Sequence, residues 1–185
     1  DTSLSDEQKH HVEIMREAGR SLLTLINNIL DLSKIEAGKL PIVEQPFSPH
    51  RLFSSLGSFF AQMAHDKGLE LNLDLGGDVP KAMEGDENRL RQILVNLIGN
   101  AIKYTDEGWV KLQLSAYKNR EDQDIIRISV ADTGMGIEEE DLELIFSDFY
   151  QLKHTLTRSK QGTGLGLAIV KVLVEKMGGI VKVES

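Results

Sequence analysis

From Ser5 to Gly38 the chain has no proline, and its apolar residues recur in steps of three and four, which fixes the first element as one long helix. Ser5 stands as N-cap with Gln8 three residues on, the pattern of a capping box. Met15, Ala18, Leu22, Leu25, Ile29 and Leu32 then form an a/d seam. Val12, Leu23, Ile26 and Leu30 widen that seam into a stripe suited to a multi-helix bundle. A helix packed on its own domain also fits the pattern. Gly38 has the place of a C′ residue, and Pro41 forbids continuation. The chain thus divides at residue 40 into a helical segment (1–40) and a mixed α/β segment (41–185).

The second segment changes period repeatedly. Leu40 to Gln45 reads as a short strand stopped by Pro46 and Pro49. Ser48 and Pro49 read as N-cap and first residue of a helix with the stripe Leu52, Leu56, Phe59, Phe60 and Met63. Leu69, Leu71, Leu73 and Leu75 alternate as in a half-buried strand. Asp86 caps the next helix, whose apolar face is Leu90, Ile93, Leu94, Leu97, Ile98 and Ala101. Trp109 to Tyr117 and Ile125 to Ala131 form an antiparallel hairpin around the polar turn 118–124. An acidic helix from Glu138 to Phe146, a polar loop 147–161 and a helix from Leu165 to Met177 come next. Ile180 to Glu184 begins a strand.

Composition narrows the partners. A formal net charge of −8 argues against a general affinity for nucleic acid or an anionic membrane. The sequence has no cysteine, which removes thiolate chemistry, disulfides and Cys-bound zinc. No apolar run approaches the roughly 20 residues of a membrane span. His50, His65 and His154 show no metal-ligand spacing.

Four local patterns carry chemistry. Gln92, Asn96, Asn100 and Lys103 share one face of the helix after Asp86, opposite its apolar stripe. An amide oxygen is a hard ligand suited to Mg²⁺, and Lys103 offers a point charge to phosphate. Taken alone, the pattern is also that of a solvated polar face. Asp132-Thr133-Gly134-Met135-Gly136 ends an apolar strand. There a carboxylate can accept an adenine N–H while glycines let backbone approach a ring. The same residues suit a turn capping a helix. Gly162-Thr163-Gly164-Leu165-Gly166-Leu167 runs into a helix whose N–H groups would face phosphate, or forms a plain turn. It is neither a dinucleotide fingerprint nor a Walker A loop. Between these lies a stretch with Phe146, Phe149, Lys153, His154, Arg158 and Lys160, a flap over phosphates or a solvated loop.

The order of the four patterns is more specific than any one of them. "NLIGNAIKYT" (96–105) resembles the N box of the GHKL ATPases, "DTGMGI" from Asp132 the G1 box, "FSDF" from Phe146 the F box and "GTGLGLAI" from Gly162 the G2 box. Within that superfamily the chain resembles the sensor histidine kinases, because "NNILDLSKIEAGKL" (27–40) is similar to the end of their second dimerisation helix. The resemblance covers nearly the whole chain.

The resemblance implies an α+β fold: a two-layer α/β sandwich (the Bergerat fold) with a mixed, mostly antiparallel sheet under three helices, preceded by a bundle-forming helix. It implies ATP and Mg²⁺ as cofactors, with Asn96 and Asn100 at the triphosphate and Asn100 on the metal. Lys103 and Tyr104 would contact phosphate and nucleotide, and Asp132 the adenine amino group. Gly134, Gly136, Ile137, Phe149, Gly162, Thr163, Gly164, Leu165, Gly166 and Leu167 would shape the pocket and its lid, with Arg158 reaching the γ-phosphate. The activity implied is phosphoryl transfer from ATP to a histidine, then relay to a response-regulator aspartate. Homodimerisation through the first helix and a cytoplasmic setting are implied too, with any membrane anchor upstream.

The acceptor pattern is absent from this sequence. His10 and His11 precede Val12 and Glu13 with no proline four residues on, and read as surface helix residues. The chain opens at Asp1 without Met and stops at Ser185 in a strand-like run, so a further strand is expected beyond it. Two rivals are an ATP-driven clamp of the gyrase or Hsp90 kind and a binding module with a decayed pocket. The heptad helix argues against the first, and intact Asn96, Asn100 and Asp132 against the second.

Overall fold

The computed structural model describes residues 4–152 and 163–185. They fall into two compact units, Asp1–Leu40 and Pro41–Ser185. The first unit is helix α1, Asp6–Glu36. Its capping box forms as the sequence requires: Ser5 Oγ accepts from Gln8 N, and Gln8 Oε1 accepts from Ser5 N. Gly38, at φ +64, ends it in the left-handed conformation a C′ glycine adopts without strain. Val12, Met15, Ala18, Leu22, Leu23, Ile26, Ile29 and Leu30 are exposed.

The second unit is α+β, a mixed sheet with helices on one face. Its elements are β1 (Gln45–Phe47), α2 (Pro49–Asp66), β2 (Glu70–Leu75), β3 (Met83–Gly85), α3 (Glu87–Tyr104), β4 (Trp109–Lys118), β5 (Asp124–Asp132) and α4 (Gly166–Lys176). The main sheet has the order β2-β4-β5. β2 runs parallel to β4, with α3 in the crossover, and β4 and β5 form the expected antiparallel hairpin. Val110, Leu112 and Leu114 point from β4 into the helical layer and are fully buried with Leu52, Leu56, Phe60, Leu94 and Ile98. The other sheet face is polar. There Lys111 Nζ pairs with Asp74 Oδ2 at 2.9 Å, and Gln113 Nε2 donates to the same oxygen at 3.0 Å. One apolar and one wet face make this a two-layer arrangement.

Several local expectations change. The first strand lies at Gln45–Phe47 rather than Leu40–Gln45, paired with β3. Pro46 is tolerated because a two-stranded pair has an open edge for its missing N–H. On α2, Phe59 and Met63 are exposed, while Phe53, Gly57 and Ala64 share the inner face with Leu52, Leu56 and Phe60. Gly57 is needed there: a Cβ on it would stand 2.6 Å from Leu73 Cδ1. The acidic helix is instead two 3-10 turns, Glu139–Asp141 and Leu144–Phe146, because crowded carboxylates oppose a longer helix and only Ile145 is buried. Ile180–Glu184 forms no strand, since no ladder partner lies beside it among the described residues.

Candidate functional site

The sequence patterns meet where α3 ends, β5 ends and α4 begins. α3 starts at Asp86, whose Oδ1 accepts from Arg89 N at 3.0 Å and whose Oδ2 accepts from Val43 N at 2.9 Å. With Ile93, Leu94, Ile98, Ala101 and Ile102 buried, the opposite face presents Asn96, Asn100 and Lys103, each half-buried. Lys103 Nζ lies 5.0 Å from the centroid of the Tyr104 ring, a cation–π contact that holds the ammonium near the helix end.

Asp132 closes β5. Its Oδ1 accepts from Gly134 N at 2.8 Å and from Thr105 Oγ1 at 3.4 Å. Its Oδ2 has no hydrogen-bond partner among the described residues, and the side chain is exposed. Thr105 is fully buried. Gly134 allows the close approach: a Cβ there would stand 2.7 Å from both Tyr104 O and Asp132 Oδ1. Thr133 stitches the strand end to β4, its Oγ1 accepting from Trp109 N at 3.0 Å. Beyond it, Gly136 takes φ +72 and Ile137 N donates to Ser185 Oγ at 2.7 Å.

α4 brings the last glycines in. A Cβ on Gly166 would stand 3.2 Å from Asn96 Oδ1, so the N-box amide and the start of α4 are neighbours. Leu165 is fully buried and occupies the N-cap without a side-chain cap, so among the described residues no capping side chain takes the first N–H groups of α4. Thr163 Oγ1 accepts from Leu165 N at 3.3 Å and shapes the turn, and Leu167 is half-buried in the first turn of the helix. Gly164, at φ +72, packs against the Phe149 backbone, where a Cβ would stand 2.6 Å from its carbonyl carbon. Phe149 itself takes φ +61. Tyr150 OH donates to Asp141 Oδ1, and that bond, then burial and the charges of Asp141 and Glu140, hold its phenol above the ordinary range.

Asn96 with Gly166, Asp132 with Thr105 and Gly134, and Phe149 with Gly164 are therefore brought together. Asn100 and Lys103 share the helix face. Lys153, His154, Arg158, Lys160 and Gly162 lie outside the described residues. Thr105, which bonds Asp132, was not singled out by the residue patterns; its only signal was its place as the last residue of the 96–105 motif, directly after the helix. Two open depressions of about 460 and 470 Å³ lie elsewhere, around β1 and the first turn of α3. No group of three or more His, Asp or Glu side chains able to hold a metal occurs among the described residues.

Among known proteins, a family model described as histidine kinase-, DNA gyrase B- and HSP90-like ATPase matches residues 85–185. The His Kinase A (phospho-acceptor) domain matches residues 1–38. Hybrid signal transduction histidine kinase L of Dictyostelium discoideum is 43% identical across 100% of this chain, which spans 11% of that protein. Signal transduction histidine-protein kinase BarA of Escherichia coli K12 is 40% identical across 100% of this chain, which spans 20% of it. The structure of full-length ShkA in complex with AMPPNP is 36% identical, with a TM-score of 0.76 over 96% of this chain and 35% of that one.

Proposed function

Because the chain belongs to the family of histidine kinase-, DNA gyrase B- and HSP90-like ATPases, we propose that it is the ATP-holding catalytic part of a two-component sensor histidine kinase. Residues 1–40 serve as the second dimerisation helix and 41–185 as the ATP-binding domain. The observation that carries this reading is Asp132, with one oxygen fixed by Gly134 and Thr105 and the other free for an adenine amino group.

In this reading Asn96, Asn100 and Lys103 face the triphosphate, and Tyr104 flanks the nucleotide. Gly134, Gly136, Ile137 and Phe149 wall the base, while residues 163–167 bring the start of α4 to the phosphates. Mg²⁺ would be held by Asn100 and the phosphates, and supplies charge neutralisation when bound. Arg158 would add a cation at the γ-phosphate. The hydroxyls of Thr105, Thr133 and Thr163 here are engaged in internal hydrogen bonds, which suits phosphoryl transfer, where positioning and charge stabilisation do most of the work. The γ-phosphoryl passes to a histidine nitrogen on a first dimerisation helix, for relay to a receiver aspartate.

With γ-labelled Mg-ATP, the chain alone is expected to gain no stable label on His10 or His11. A separately supplied dimerisation hairpin carrying an H-box histidine is expected to become labelled. Stable label on His10 or His11 would overturn the assignment of the acceptor.

The exposed stripe of α1 serves a homodimer or larger bundle. Light scattering is expected to show self-association that Leu22→Glu with Ile29→Glu weakens, since each change puts a charge into an apolar seam. A strict monomer at high concentration would sink this part. No described helix is long and apolar enough to cross a membrane. The reading places the domain in the cytoplasm, without nucleic-acid partners.

A further inference from the structure

A cation at the far end of α2 reaches the back of this site. Lys67 is the C-cap residue of α2. Its Nζ donates to Ile102 O at 2.8 Å, to Lys103 O at 2.9 Å and to Thr105 O at 2.9 Å. An ammonium has three N–H donors, and each finds one carbonyl. Asp106 stands 3.9 Å away as counter-charge. A helix leaves its last four carbonyls without partners and carries partial negative charge there. Lys67 answers both at the C-terminus of α3.

The backbone that carries those carbonyls is also the wall behind Asp132. Thr105 has its N–H on Ala101 O at 3.1 Å, its carbonyl on Lys67 and its hydroxyl donating to Asp132 Oδ1. The intervening Tyr104 carbonyl lies against Gly134, whose N–H also donates to Asp132 Oδ1. Release of the helix end would let Thr105 and Tyr104 drift, and the carboxylate would lose one donor and its backing.

We propose that Lys67 is a positioning residue for adenine recognition: it clamps the end of α3 so that Asp132 presents its free oxygen at a fixed angle. This rests on the nucleotide reading of the site. A clamp that served only to tie α2 to α3 would affect all nucleotides alike. A clamp that aims Asp132 affects chiefly those with an amino group to read.

The test is calorimetric titration of Mg-ATP and of Mg-purine riboside triphosphate, which lacks the exocyclic amine, into the chain, Lys67→Met and Lys67→Gln. The native chain is expected to favour ATP. Both variants are expected to lose about tenfold in ATP affinity, the scale of a lost charge-assisted hydrogen bond, and about twofold or less for the amine-free analogue. Variants that keep the native preference, lose both nucleotides in equal proportion or both fail to fold by circular dichroism would overturn the positioning role. A native chain that binds no ATP, or binds both nucleotides equally, would instead overturn the adenine reading itself, and the role of Lys67 with it.

Discussion

Asp132→Asn is expected to weaken Mg-ATP binding by about thirtyfold or more, the equivalent of roughly 2 kcal/mol for a polar group left unpaired once a bound base covers it. Asp132 Oδ1 already accepts from Gly134 N and Thr105 Oγ1. An asparagine must turn its oxygen to those donors, because its NH₂ group would meet N–H and O–H head-on. Its NH₂ is then forced to the place of Oδ2, where the adenine amino group also brings a donor. The swap keeps size and the two internal bonds, so the thermal midpoint should move little while affinity falls. Isothermal calorimetry beside a melting curve separates the two effects. Undiminished affinity would mean that the base is not read by this carboxylate. A parallel fall in melting temperature would mean that the residue holds the strand end rather than the ligand.

Much of this arrangement was legible because it rests on local chemistry. Ser5, Ser48 and Asp86 each sit one residue before a helix, and their side chains accept from N–H groups that the helix leaves open. The β4–β5 hairpin arises from two alternating runs around a polar turn. The site patterns were legible for a related reason: Gly134, Gly164 and Gly166 are glycines where a Cβ would strike another motif.

The parts that were not legible depend on partners distant in sequence. Met83–Gly85 is a strand only because Gln45–Phe47 lies beside it, and neither run has a pattern of its own. Phe59 and Met63 read as core by hydrophobicity, but the inner face of α2 goes to Gly57 and Ala64, where small size matters more. Thr105 and Lys67 were hidden for a third reason. Their partners are mostly backbone carbonyls and a carboxylate from other elements, and no residue-type pattern records where a carbonyl will point. Even so, the end of α3 is where these long-range contacts and the sequence motif coincide.

Distant partners also separate two glycines with nearly equal backbone angles. Gly164 has φ +72 and Gly178 φ +74, so alanine at either meets the left-handed penalty of about 1–2 kcal/mol. A Cβ at Gly178 has nothing within 4 Å, whereas at Gly164 it stands 2.6, 2.8 and 2.9 Å from Phe149 C, Cα and O. Those are main-chain atoms, so no rotamer change relieves the overlap. Phe149 already holds φ +61, and the chain there has little room to yield. Gly164→Ala must therefore move either the Phe149 turn or the start of α4, whose first N–H groups are proposed to meet phosphate. The expected result is a loss of about 2–4 kcal/mol in stability together with at least a tenfold loss of Mg-ATP affinity, the scale of a roughly 1.4 kcal/mol loss of phosphate contacts. Gly178→Ala should cost only the backbone penalty and leave affinity unchanged, because Gly178 ends α4 at the opposite pole. If both variants lost stability equally and kept their affinity, the Phe149–Gly164 contact would be incidental. Affinity lost only at Gly164 would tie the start of α4 to the nucleotide through the packing of one turn against another.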